Sequence, residues 1–478
     1  MSNRRDGRSE RDAESTSTVP HRHGLGLARR EFLQVGFSGF LGASLAGVLA
    51  ARSQGAIASG AGAGRAKSVL LVFLTGAPSH IDTFDPKPSA PEGIRGDFKP
   101  LATNVPGITF TEHIPGLAAR ADKLAVVRSM SHSNLNHLNA THHLLTGHPQ
   151  PNAIFDKIAS RADYPCYASG IDTLRPRSDG VPSGVMLPTF LMEGPLVWPG
   201  QHAGFLGPRH DPWQIKRDPN LPNFREDSLT LPAGFSVERL AGRRKLVDEL
   251  RATRDSLSAA ASRDPMADQR EAAYSLLLNS RVARAFDLKA EDPKVRDKYG
   301  RHMFGQSLLL ARRLVEAGVP IVQANMGGVQ TWDSHSDIFR RLKEDLLPPT
   351  DRAISALLDD LQGRGMLDET LVVITGEFGR APRLTKNGGN PIAGRDHWAS
   401  VFTSVFAGAG VRGGQTIGQS DKVGGFPASM AYTPNDLAAT IYAALGVDLG
   451  SEVHDKLGRP TRLCTGSRIE PLYSGTTA

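Results

Sequence analysis

Cysteine is almost absent: Cys166 and Cys464 are the only two in 478 residues, and they stand far apart. A fold framed by disulfides is thereby excluded, and so is a metal site of clustered thiolates, which needs several cysteines at short spacing. In an oxidising compartment the two could still pair, and the sequence leaves that open. An excess of one charge is lacking too. Lys and Arg number 56 against 49 Asp and Glu, a formal net charge of +7, and aromatics make up only 6% of the chain. Without aromatic-basic clusters or a strong positive balance, nucleic acid is not an expected partner. Beyond residue 58 no stretch approaches the ~20 apolar residues that a spanning helix requires, so no permanent membrane span is expected.

What the N-terminus does carry is an address. Arg29-Arg30-Glu31-Phe32-Leu33 precedes an apolar, Gly- and Ala-rich stretch from Val35 to Ala51, and Ala56-Ile57-Ala58 offers small residues for cleavage. This is the pattern of a twin-arginine signal. Residues 1–58 read as the leader, 59–67 as a flexible linker, and 68–478 as a unit exported by the twin-arginine machinery to the periplasm or beyond. Within that unit, about 150–317 reads as an insertion. Gln150 to Gly234 is dense in Pro, Gly and aromatics, a composition typical of irregular segments that cover a site. From Val237 onward charged residues interleave with Leu, Ala and Val at helical spacing, as in Arg244 to Leu257 and Glu271 to Phe286.

Three strand-like runs break into possible metal ligands. Ser68 to Leu74 is continuously apolar after its first residue and opens through Thr75-Gly76-Ala77-Pro78-Ser79-His80-Ile81 into Asp82. Ile321 to Asn325 leads through Gly327-Gly328 to Trp332-Asp333-Ser334-His335. Leu371 to Thr375 ends in Gly376-Glu377-Phe378-Gly379-Arg380, with Gly394-Arg395-Asp396-His397-Trp398 close behind. Continuous apolar runs are typical of parallel strands buried on both faces, and α/β proteins place ligands at the carboxyl ends of such strands. Asp, Glu and His offer anionic oxygen or a neutral ring nitrogen to a divalent ion. Helices are expected from Ile338 to Arg364, stopped by Gly365, and after the cap Thr433-Pro434-Asn435-Asp436. The expected fold is α/β: a mostly parallel sheet flanked by helices on both faces.

The segments Gly376 to Pro382, Gly394 to Trp398 and Trp332 to His335, with Asn136-His137 and Thr146-Gly147, resemble those of the secreted bacterial family called domain of unknown function 1501, which is placed with the alkaline phosphatase and sulfatase superfamily. The resemblance covers essentially the whole chain after the leader. It implies an alkaline-phosphatase-like fold and one or two divalent metal ions, zinc, calcium or manganese. Asp82, Asp333, His335, Glu377 and His397 match ligand positions, and Asp396 either ligates or orients His397. Phe378 stands where the superfamily has a ligand histidine. His137 stands by spacing where sulfatases carry a Cys or Ser nucleophile, which excludes formylglycine chemistry here.

Two readings of function follow. One is an exported metal-dependent hydrolase of phosphate or sulfate esters, or of a related anionic group on a small molecule or polysaccharide. His137, Thr141 and His142 would then stand at the reacting centre, with a cation-activated water as nucleophile and His137 as proton shuttle. Arg380 and Arg395 would either clamp the anion by bidentate hydrogen bonds or pair with local carboxylates. The other reading is a periplasmic binding or assembly protein that keeps the fold and a metal site without hydrolysis.

Overall fold

The computed structural model describes residues 62–474, apart from 227–228, 230–233, 258–273, 275–276, 278–279 and 387–390. The leader read at 1–58, part of the linker and part of the helical stretch from Glu271 lie outside the described residues.

The sequence between Ser68 and Phe73 forms the central strand, β1, and all six of its residues are buried. Its polar first residue is satisfied, since Ser68 Oγ donates to Val319 O at 2.8 Å. The pleat sends alternate side chains to opposite faces. Leu70 and Val72 enter one apolar core, while Val69, Leu71 and Phe73 enter a second. Two cores on two faces explain why β1 is apolar throughout rather than alternating.

The other strands of the main sheet are Ala125–Met130 (β2), Gly184–Leu187 (β3), Trp213–Gln214 (β4), Ile321–Asn325 (β5), Thr370–Thr375 (β6), Phe402–Ala407 (β7) and Gln415–Ile417 (β8). Their order is β8-β2-β7-β6-β1-β5-β3-β4. All neighbours pair in parallel except β7, which runs antiparallel to both β6 and β2. The mixed sheet is therefore mostly parallel, as expected. One face is covered by helices Met303–Glu316 (α4) and Leu347–Gly363 (α5), the other by His137–Thr146 (α1), Tyr167–Leu174 (α2) and Pro434–Ala444 (α6). The helix Val237–Leu257 (α3) matches the helical periodicity there. Because β3, β4 and α4 all fall within 150–317, part of that stretch belongs to the sheet and its core rather than standing outside it.

The helix expected from Ile338 is continuous but widens into a π-helical segment at Arg341–Leu346 before α5. Pro348 and Pro349 account for this, since neither has an N–H to give to the preceding turn. Gly365 takes φ +70 at the stop. At the start of α6, Asp436 accepts from both the backbone N–H and the hydroxyl of Thr433, each at 2.8 Å. Among the described residues no helix is long and apolar enough to cross a membrane.

The register fixes the location of the site. Phe73 in β1 lies opposite both Thr375 in β6 and Asn325 in β5, so three adjacent parallel strands end at the same level. The segments that follow them, with Gly76-Ala77, Glu377 and Asp333, meet above that edge.

Candidate metal centre

Glu377 arrives two residues after β6 and is completely buried. A buried carboxylate must be hydrogen-bonded, and its donors come from the turn after β1. Gly76 N reaches Oε1 at 3.0 Å and Oε2 at 3.2 Å, and Ala77 N reaches Oε2 at 3.2 Å. This cradle requires φ +104 at Gly76 and φ +66 at Ala77, turning two successive amides toward one anion. A Cβ on Gly76 would lie 2.8 Å from Asp333 N, so the close approach also demands glycine. The remaining partner of Glu377 is His137, whose Nδ1 donates to Oε1 at 2.7 Å.

His137 is the first residue of α1, held there by Asn136, whose side chain accepts from Leu138 N and Asn139 N. Such a cap is worth about 1 kcal/mol. The imidazole stacks on Trp198 with ring centroids 5.6 Å apart. Since Nδ1 carries the proton given to Glu377, Nε2 is left facing Asp333 Oδ2 at 3.3 Å without hydrogen-bond geometry.

The same arrangement recurs twice. His335 Nδ1 donates to Asp396 Oδ1 at 2.9 Å, and Asp396 is itself held by the Thr385 hydroxyl at 3.0 Å. His397 Nδ1 donates to Leu135 O at 2.8 Å. Both Nε2 atoms therefore point inward, 3.0 Å from each other and 3.1 and 3.3 Å from Asp333 Oδ1. Two ring lone pairs cannot face each other at that distance unless a proton or a cation lies with them. Fixing Nδ1 on an acceptor is how proteins aim Nε2 at a metal. His137, Asp333 and His397 each offer a ligand atom, all within 4.8 Å of one another. Two imidazoles, one of them with an orphaned buried nitrogen, and a carboxylate fit a divalent ion.

The electrostatics agree with this clustering. Burial works to lower the His137 pKa, but the two carboxylates beside the ring, Asp333 and Glu377, outweigh it and raise it to about 9. Burial works to raise that of Asp333, yet His137, His335, His397 and Arg380 hold it far below the usual carboxylate range. His335 is raised by its hydrogen bond to Asp333, against desolvation, with Asp396 adding to the rise.

Both arginines are paired with carboxylates inside the protein. Arg380 and Arg395 are fully buried. Arg380 meets Asp333 Oδ1 at 2.5 Å and donates to the carbonyls of Ala77, Gly76 and Arg395. Arg395 grips Asp82 through Nε at 2.7 Å and Nη2 at 3.1 Å and gives its other N–H groups to the carbonyls of Ala381, Pro382 and Ile94. Of the two readings of these arginines, geometry gives the pairing with carboxylates. Asp82, also bound by the Ser79 hydroxyl at 2.6 Å, is accordingly a partner of Arg395. Glu377 and Asp396 orient histidines. Thr141 and His142 are fully buried on α1. His142, five positions past His137, points to another side of the helix and donates through Nδ1 to His148 O at 2.9 Å.

Several contributors were not read from the sequence. His132 donates through Nε2 to Glu377 O at 2.7 Å, Trp198 backs His137, and Thr385 steadies Asp396. Only the aromatic content around Trp198 gave a signal.

No curated relative matches the sequence. Among solved structures, the chain is similar to a Bacteroides thetaiotaomicron protein from a locus for metabolism of multiple glycosaminoglycans, at 10% identity and TM-score 0.41, covering 85% of this chain and 76% of that one. It is similar to the sulfatase PsFucS1 from Pseudoalteromonas sp., at 14% identity and TM-score 0.35, covering 80% and 68%. A Vibrio parahaemolyticus protein in the alkaline phosphatase superfamily matches at 10% identity and TM-score 0.37, covering 81% and 68%. At these values the likenesses assign no chemistry to this chain. The sequence profile of one family matches residues 66–472, and the chain belongs to it: the family described as protein of unknown function (DUF1501).

Proposed function

We propose that this chain is an exported metal-dependent hydrolase of phosphate or sulfate esters or a related anionic group. The observation that carries the reading is the convergence of three Nε2 atoms on Asp333 while each Nδ1 is committed to an acceptor. His137, Asp333 and His397 would hold one ion, which when bound supplies charge to neutralise an anion and polarise the bond to be cleaved. Three protein ligands leave a position open, the usual arrangement of catalytic zinc. Imidazole donors favour zinc over calcium and manganese, which prefer oxygen.

Proton transfer falls to the histidine outside that ligand group. His335 is partly exposed, at 39% of its side chain, and its Nδ1 is held by Asp396, itself 40% exposed. An imidazole backed by a carboxylate at the solvent edge can hold a proton on Nε2 and exchange it with water. This moves the shuttle role from His137, which is buried beneath Trp198, to His335.

The test is metal content of the purified protein together with turnover of generic phosphate and sulfate esters. Metal with turnover supports the hydrolase. Metal without turnover favours a binding or assembly protein, a reading supported by the burial of Thr141 and the pairing of both arginines. Absence of metal ends both. Export is checked separately: Arg29→Lys with Arg30→Lys should leave the precursor in the cytoplasm, and normal export of the double variant would refute the twin-arginine assignment.

A further inference from the structure

Exposed apolar side chains are carried on three segments that hydrogen bonds link to this polar centre. Leu135 gives its carbonyl to His397. The loop with Ile154, Phe155 and Ile158 is fastened to the start of α1, where Asn136 Nδ2 donates to Asp156 at 2.9 Å and Asn139 Nδ2 donates to Ile154 O at 3.0 Å. The hairpin strands Met192–Glu193 and Leu196–Val197 join that loop through Ala159 N to Val197 O at 2.9 Å, and Trp198, stacked on His137, follows directly. Phe155 is 82% exposed and Met192 44%. Leaving large apolar groups in water costs free energy, and their concentration beside a site marks a surface that something apolar covers.

Charge decides what covers it. These segments carry the acids Asp156 and Glu193 against the cations Lys157 and Arg161, and Arg161 is paired with Asp211 at 2.6 Å, so they present no excess of positive charge. Together with the buried pairing of Arg380 and Arg395, this surface is suited to apolar groups and ill-suited to a chain of repeated negative charges.

We propose that the substrate is an amphiphile: one anionic ester group at the metal centre and an apolar or aromatic body lying on Leu135, Phe155 and Met192. The proposal rests on the metal-centre reading for the head group alone. It disfavours a sulfated or otherwise polyanionic polysaccharide.

The experiment is calorimetric titration of the purified, zinc-loaded protein with methyl-, butyl-, hexyl- and octylphosphonate, and with dextran sulfate. Affinity should rise with chain length, by up to about fourfold per buried methylene, and dextran sulfate should bind more weakly than octylphosphonate. The double variant Phe155→Ser, Met192→Ser should flatten the rise and leave methylphosphonate unchanged. Equal affinities along the series, an unaltered slope in the double variant, or tighter binding of dextran sulfate would overturn the proposal. Binding of octylphosphonate without any of methylphosphonate would uphold the apolar surface while removing the metal as its anion site. Binding of none would overturn it.

Discussion

The imidazole of His137 and the carboxylate of Glu377 meet at 2.7 Å, both buried, and the carboxylate is held from behind by the amides of Gly76 and Ala77. Glu377 thus links the turn after β1 to the first residue of α1 and fixes which ring nitrogen of His137 faces Asp333.

Glu377→Gln should therefore weaken metal binding without emptying the fold. A Gln can accept from His137 with its oxygen, but its NH2 then confronts the N–H groups that Glu377 satisfied. Losing such a ligand-orienting carboxylate costs roughly 10–100-fold in metal affinity. Chelator competition reads that change, with circular dichroism to establish folding. An affinity equal to that of the parent would exclude Glu377 as the positioning group.

His335→Gln separates proton transfer from ion binding. With His137, Asp333 and His397 left in place, the variant should retain its metal while turnover falls by about 10²–10⁴, the usual contribution of a general acid or base. Asp396→Asn should act in the same direction more weakly, since it leaves the ring present and loosens its orientation. Parallel loss of metal and activity in His335→Gln would make His335 a ligand instead.

These roles were only partly legible in the sequence. Strand-like runs leading into Gly revealed β1, β5 and β6, and the polar residues beyond them, Asp333, Glu377 and His397, do gather at one sheet edge because those strands are parallel neighbours. The pairing of Asp82 with Arg395 was not legible, because a carboxylate after a strand looks the same whether it faces a cation or a guanidinium. Nor was the reversal of β7: Phe402–Ala407 is buried on both faces like the parallel strands of the sheet, so its composition carries no direction. His132 and Trp198 lie in segments without periodicity, where only folding gives them partners.

Arg395→Met tests the structural pairing. Removing one member of a buried pair leaves Asp82 without its charge partner, at a cost of about 3–5 kcal/mol, visible as a fall in Tm. Adding Asp82→Asn should recover part of it, because the buried anion is gone. A single variant as stable as the parent would release Arg395 for another role.

Acid should destabilise the fold through buried neutral histidines. Desolvation lowers His132 to about 4, despite its bond to Glu377 O, and His142 to about 3, despite its bond to His148 O, from the ordinary 6.5. Below about pH 6.5 the unfolded chain takes up a proton at each, while the folded chain stays neutral there until its own lower value is reached. Stability conferred at neutral pH is thus lost progressively from about pH 6.5 down to 4 for His132, and on toward 3 for His142. Measured with chelator present, so that metal release adds nothing, Tm should fall steadily from about pH 7 to 5. His142→Gln removes one of these protonations and should show a shallower slope even if its Tm at neutral pH is lower. A slope identical to the parent's would mean that His142 is already charged inside the folded protein.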